Sequence, residues 1–338
     1  MTSKEIVRKA LRRERPPRLP VFMGALGVDD RAWMPVRSPR GFMPAAEGVD
    51  EWGCRWGHTD VPNMGQVVGH PLADIRKLDT YPMPDFTDET RYLDVEEALR
   101  KAQAEGKYVT CGIFMVLFER MHTLHGFENT LAELYTDRPA MEALADRIVE
   151  VHCSFVREMA RRFPGRIDGW SMSDDWGTQQ NAFISYDLWM DFFHLRYKRI
   201  FDTMRAAGCD VWVHSCGKVN DIIEGYIQAG VDVVNLQQPR ALGIEAIGSR
   251  YRGRIAFESL ADIQATLPTG DRQRIEADAE ALMTHWASAE GGFAFSDYGD
   301  DQAIGIRDAT VKPFMYDTFS KWSERIYGNP LPPRTPQS

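Results

Sequence analysis

Three consecutive residues, His214, Ser215 and Cys216, follow the apolar run Val211-Trp212-Val213 and are closed by Gly217. On a β-strand, residues i and i+2 point to the same face, so the imidazole and the thiol project together from the strand's end. Zinc accepts histidine nitrogen and cysteine sulfur together, and strand ends in α/β proteins are where ligands bind. The plain alternative for a bare His-x-Cys pair is a half-buried histidine beside a structural cysteine. The elements that hold the pair distinguish the two readings.

Those elements alternate. Thr2 and Glu5 form a capping box that opens a short amphipathic helix, and Pro16-Pro17 ends it before a strand over 19–22. Residues 24–90 are irregular and rich in Gly, Pro, Trp and Met, a stretch that predicts lid-like loops over a site. Helices are then predicted over 93–104, 138–162, 188–207, 219–229, near Ile244, and over 272–288. Strands are predicted over 108–112, 167–173, 210–215, 231–236, 254–257 and 292–295. Short apolar strands separated by helices imply parallel β/α units. Seven strands are countable, and the segment between Cys54 and Val68 is the place for an eighth. The expectation is one domain over 1–338, a (β/α)8 TIM barrel with an N-terminal extension and long early loops. Residues 1–90 carry the first helix, first strand and loops, and 91–330 the regular units.

In such barrels the functional groups gather at the carboxyl ends of the strands. Here those ends carry Gly112, Asp174-Asp175-Trp176, His214 with Cys216, Gln237-Gln238, Glu258, and Asp297-Tyr298 with Asp300 and Asp301. This is an acid-rich rim. Asp174 or Asp175 also fits a helix cap, Gln237-Gln238 before Pro239 a loop start, and Asp300-Asp301 a solvated loop.

Composition narrows the functional class. The 338 residues are 43% hydrophobic and 26% charged, with no apolar run long enough to span a membrane. A net charge of −9 argues against nucleic acid or an anionic membrane as the main partner. The N-terminus lacks a signal peptide's apolar segment, and the five cysteines are too scattered for a disulfide framework, so a reducing cytoplasm is expected.

The runs Ser173-Asp-Asp-Trp-Gly-Thr-Gln-Gln180, Ile184-Ser-Tyr-Asp-Leu-Trp189, Arg196-Tyr-Lys-Arg-Ile200, Val213-His-Ser-Cys-Gly217 and Val231-Asp-Val-Val-Asn235 carry a resemblance over nearly the whole chain. Together they resemble the uroporphyrinogen decarboxylase superfamily, and within it the methyltransferase-like branch. The resemblance implies a (β/α)8 barrel and two chemistries: decarboxylation in haem synthesis, or zinc-assisted methyl transfer between a corrinoid protein and a thiol. The chain departs from both. Where the decarboxylases carry an arginine-rich segment after the first strand, this chain has Met23-Gly-Ala-Leu-Gly27, with no guanidinium to hold substrate carboxylates. Where the zinc methyltransferases supply a second cysteine after the last strand, this chain has Tyr298.

The resemblance therefore implies zinc on His214 and Cys216, with Asp297, Gln238 or Tyr298 as the third ligand; alternatively no metal is present and Tyr298 is a catalytic acid. Asp174, Asp175 and Glu258 are expected to protonate a leaving group or hold substrate, and Gln180, Gln237, Gln238 and Trp176 to line the substrate pocket. The leading expectation is a methyltransferase that moves a methyl group between a small methylated or methoxylated substrate, or a thiol, and a corrinoid carried by a partner protein. A metal-free carboxy-lyase and a non-catalytic barrel that binds a small ligand stand as alternatives. A homodimer is compatible with the sequence, which does not itself fix the oligomeric state.

Overall fold

The computed structural model describes residues 1–57 and 65–334. Helix α1 (Ser3–Arg12) opens as the sequence predicts: the Thr2 hydroxyl accepts from the Glu5 amide at 3.2 Å, and the Glu5 carboxylate accepts from the Thr2 amide at 2.7 Å. Its buried face carries Ile6, Val7 and Ala10. Lys4 N donates to Gly106 O, and Gly292 N donates to Ala10 O, so the helix lies across the amino ends of two barrel strands.

The first strands are short: β1 (Val21–Met23), β2 (Val28–Asp29) and β3 (Arg31–Trp33), then the hairpin β4 (Arg55–Gly57) with β5 (Gln66–Gly69). The regular part follows with α2 (Val95–Ala104), β6 (Tyr108–Ile113), α3 (Phe118–His125), α4 (Phe127–Thr136), α5 (Arg138–Arg162) and β7 (Gly169–Ser173). Next come α6 (Tyr186–Leu188), α7 (His194–Ala206), β8 (Asp210–His214), α8 (Ile222–Ala229), β9 (Val233–Asn235), α9 (Pro239–Leu242) and α10 (Ile244–Tyr251). The chain ends with β10 (Ala256–Ser259), α11 (Arg272–His285), β11 (Phe293–Ser296) and α12 (Val311–Tyr327). Among the described residues the main sheet has the order β2-β1-β11-β10-β9-β8-β7-β6-β3, and every pairing is parallel except that of β2 with β1. This is the (β/α)8 barrel the alternation implied.

The eighth strand is not where the sequence placed it. The described ends of the 54–68 segment form a separate antiparallel pair, β4 with β5, and residues 58–64 lie outside the described residues. The barrel is instead completed by β3, which pairs with β6 through Arg31 opposite Tyr108 and Trp33 opposite Thr110. A three-residue strand opening on arginine carries no period-2 signal, so pairing, not pattern, defines it.

The closure runs through Asp30. Its amide donates to Val21 O and its carbonyl accepts from Tyr108 N at 2.8 and 2.9 Å, so one residue joins β1 to β6. Its buried carboxylate accepts from Val21 N, from the Ser3 hydroxyl and from both terminal nitrogens of Arg18.

Inside, Val7, Phe22, Tyr108, Trp212, Val233, Ala256 and Ala294 form a cluster distinct from the larger core between sheet and helices. This is the filled floor of the barrel, with α1 as its plug. Strand periodicity then fixes the layer above it: with Trp212, Val233 and Ala256 inside, the residues two positions on, His214, Asn235 and Glu258, must also face inward. They stand in register, His214 opposite Asn235 and Asn235 opposite Glu258. Among the described residues no helix is long and apolar enough to cross a membrane.

Replacing Asp30 by Ala is expected to destabilise the chain by about 3 kcal/mol or more, because Arg18 and the Val21 amide lose a buried charged partner. Urea unfolding checks this. A loss under about 1 kcal/mol would show that closure does not depend on this carboxylate.

Candidate metal centre

His214 ends β8 with its ring pointing into the barrel mouth. Nδ1 lies 2.7 Å from Asn235 Oδ1, and an amide oxygen only accepts, so Nδ1 carries the ring proton. The lone pair of Nε2 is thereby free. It lies 3.3 Å from Cys216 Sγ and 3.6 Å from Asp175 Oδ1. Ligand atoms of Asp175, His214 and Cys216 all lie within 4.8 Å of one another. One nitrogen, one sulfur and one oxygen donor converging this way is a set that zinc accepts, with the histidine oriented from behind by a polar partner.

Two adjacent βα loops bring the three together. Asp174 N donates to His214 O, Trp176 N to the Ser215 hydroxyl, and Lys218 N to Thr178 O, at 3.0, 3.1 and 2.8 Å. The loops touch backbone to backbone: Gly217 has φ +82°, and a β-carbon there would meet Gly177 O at 2.2 Å. Only glycine fits that crossing. Asp175 Oδ1 then accepts from Cys216 N at 2.7 Å, which fixes the carboxylate beside the thiol. Burial and the Asp175 carboxylate push the Cys216 thiol well above its ordinary range. Without a cation the thiol keeps its proton; a divalent ion held by Asp175, His214 and Cys216 would supply the positive charge that a thiolate beside a carboxylate needs.

The third donor atom of the cluster belongs to Asp175, a residue the sequence offers as a catalytic acid. Asp297 is instead tied to the buried amine of Lys312 at 2.8 Å, and Gln238 Oε1 accepts from Gly217 N at 2.8 Å, so each has another partner. Asp174 is a cap. Fully buried, its carboxylate accepts from the amides of Leu117, Phe118 and Glu119, at the start of α3, and from the Tyr197 hydroxyl. Burial raises it to about 6 while these donors pull it down. A carboxylate with every oxygen occupied and no exposure has no route to substrate. Trp176 is equally buried, stacked on Phe118 at 4.1 Å with its indole N–H on Tyr197, and Gln180 is exposed on a turn.

A cavity of about 540 Å3 opens above the floor. His214, Gln237, Glu258, Asp297 and Tyr298 line it, together with Asp29, Arg31 and Trp33 from the first loops. Glu258 is not a free acid: Arg31 grips it through two contacts of 3.1 and 3.2 Å and stacks on Phe22 at 4.0 Å. Tyr298 is half-buried, and burial with the nearby Cys216 and Asp300 raises its phenol.

Sequence reasoning missed four residues. Asn235 orients the imidazole, and Arg31 comes from the strand that pattern did not reveal. Lys312, 5% exposed on the unpredicted α12, anchors Asp297, Asp301 and the Tyr298 carbonyl, and so fixes the loop carrying Tyr298. Glu119 has one buried carboxyl oxygen without a hydrogen-bond partner, and burial with Asp175 and Asp174 pushes it up to about 8. The signal for Glu119 would have been its place in the first turn of α3, six residues past the end of β6.

A closed α/β barrel with a mixed nitrogen, sulfur and oxygen cluster at the carboxyl ends of its strands defines the class. The chain belongs to the uroporphyrinogen decarboxylase (URO-D) family, whose model matches residues 57–296. No curated protein sequence matches it. Among solved structures it is similar to a methyltransferase from Methanosarcina mazei, at TM-score 0.68 and 14% identity over 97% of this chain and 99% of that one. It is far more loosely similar to a D-psicose 3-epimerase, at TM-score 0.39 and 11% identity over 75% and 88% of the two chains.

Burial pushes Asp29 up to about 6 against the pull of Arg31 and Lys107. Below about pH 4 its carboxyl is protonated folded or unfolded and costs nothing; as pH rises through 6 the folded chain must carry a poorly solvated charge, and stability falls. Asp29→Asn keeps the oxygen that accepts from Arg31 N. The variant should melt with wild type at pH 4 and gain up to about 3 kcal/mol at pH 7.5. Equal melting temperatures at pH 7.5 would contradict the assignment.

Proposed function

We propose that this chain is a methyltransferase in which a zinc ion held by Asp175, His214 and Cys216 assists transfer of a methyl group between a small substrate or thiol and a corrinoid on a partner protein. The convergence of three unlike donor atoms within 4.8 Å at the barrel mouth carries the reading. Membership in the URO-D family and the barrel shared with a methyltransferase structure support it. When bound, zinc lowers the pKa of a coordinated thiol, hydroxyl or water toward neutrality.

The chain's own residues supply the rest. Asn235 holds the imidazole with Nε2 toward the cluster, and the Cys216 amide holds Asp175. Trp33 and Phe22 wall the cavity with aromatic surface, and Arg31 with Glu258 closes its base as a neutral pair. Glu119, protonated at neutral pH, keeps a neutral carboxyl near Asp175 where a second anion would oppose the thiolate. Tyr298 brings a hydroxyl to the rim as hydrogen-bond donor to substrate. Decarboxylation of a many-carboxylate tetrapyrrole is disfavoured because, among the described residues, the one arginine lining this cavity, Arg31, is already paired.

Purified protein is expected to carry about one zinc per chain by elemental analysis. His214→Ala or Cys216→Ala should abolish binding, and Asp175→Ala should weaken it by roughly 10- to 100-fold. With methylcobalamin as donor and 2-mercaptoethanol as acceptor, the zinc-loaded protein should form the methyl thioether and cob(I)alamin, the latter followed anaerobically by its absorbance. Protein that binds no metal, and whose three alanine variants behave as wild type, would overturn the reading.

A further inference from the structure

Beside the metal cavity lies a second one of about 320 Å3, with Trp33 lining both. Its walls are aromatic, from Trp33, Trp52, Phe114 and Phe155, and two buried arginines reach it, Arg91 and Arg120. Arg91 is spent: Glu51 pairs with it through both oxygens, and the carbonyls of Asp85 and Arg37 take further N–H groups. Arg120 is not. It is 4% exposed and stacks on Trp52 at 4.5 Å, and one nitrogen donates to Phe114 O at 3.2 Å. Its Nε and Nη1 have no hydrogen-bond partner. Nη1 makes one long ion pair, 3.8 Å to Asp50, a carboxylate whose oxygens also accept from Cys54 N and the Trp56 indole.

His152 lines the same cavity, 2% exposed, with neither ring nitrogen hydrogen-bonded. Burial and the Arg120 charge hold it neutral, with its pKa near 3, so one ring nitrogen donates and the other accepts. A buried guanidinium with two nitrogens free of hydrogen bonds and one long ion pair, beside a buried imidazole, is costly unless something completes it.

We propose that this cavity binds a small aromatic monocarboxylate. Arg120 provides the charge and N–H donors for the carboxylate, His152 a hydrogen bond, and the Trp and Phe faces the contact with a flat ring. A monoanion matches the one guanidinium of this cavity with N–H groups left free of hydrogen bonds, Arg120; a phosphate dianion would call for a second, and Arg91 is already neutralised. Among the described residues the site shares only the Trp33 wall with the metal cavity, and it does not require the metal.

Benzoate is the probe, with benzamide as its neutral counterpart, followed by isothermal calorimetry on the full chain. Saturable benzoate binding at one site is expected, with benzamide at least tenfold weaker. Arg120→Met should weaken benzoate at least tenfold and leave zinc content unchanged, whereas His214→Ala should lose zinc and keep benzoate. If Arg120→Met does not fold, His152→Phe and a benzoate-soaked crystal take its place: the expected results are weaker binding and a carboxylate lying against Arg120. Benzoate that binds no better than benzamide, binds equally well to every folded variant of this cavity, or disappears with the zinc would overturn the proposal.

Discussion

The structure depends on closing the barrel across a gap that helices do not bridge. Between β1 and β6 the chain offers only a short antiparallel return and a three-residue strand, and Asp30 at the bend between them pairs with both sides at once. Its carboxylate adds Arg18, Ser3 and the Val21 amide to the same node, which ties the first helix to the sheet. With the ring closed, inward side chains stack in layers. The floor is apolar, and the layer above it carries His214, Asn235 and Glu258 in register. The polar mouth is therefore the next step of the alternation that builds the core.

Two neighbouring carboxylates show how burial divides labour. Asp174 turns inward, loses all exposure and caps α3; Asp175, one residue on, points to the opposite side and meets the imidazole and the thiol. The first holds the helix start that presents Glu119, and the second contributes a donor atom. Around them, charges are matched in pairs: Arg31 with Glu258, and Lys312 with Asp297 and Asp301. Beside them Asp175 stands with the raised thiol of Cys216 and the raised carboxyl of Glu119, which both keep their protons at neutral pH. Asp175, the imidazole and the thiol together form a donor set that could hold a divalent ion, whose charge would balance the carboxylate and a deprotonated thiol.

The aromatic rim joins the two cavities. Trp33, exposed at the end of β3, stands between the metal cluster and the hollow that holds Arg120 and His152. Its position follows from the β3–β6 pairing, so the strand that completes the barrel also divides its mouth.

Much of this was legible in the chain. The alternation of apolar strands with helices implied the parallel barrel, and the His-x-Cys spacing at a strand end placed imidazole and thiol on one side, because side-chain direction along a strand is local. The capping box of α1 was readable for the same reason. What the sequence left open depended on contacts between distant segments: the eighth strand at Arg31–Trp33, the choice of Asp175 over Asp297 beside the histidine, and the capture of Glu258 by Arg31 across 227 residues. An aspartate reads the same whether it meets a lysine, a helix start or a thiol. Only the packed fold, by deciding which charges lie within a few ångströms and out of water, gives each its role.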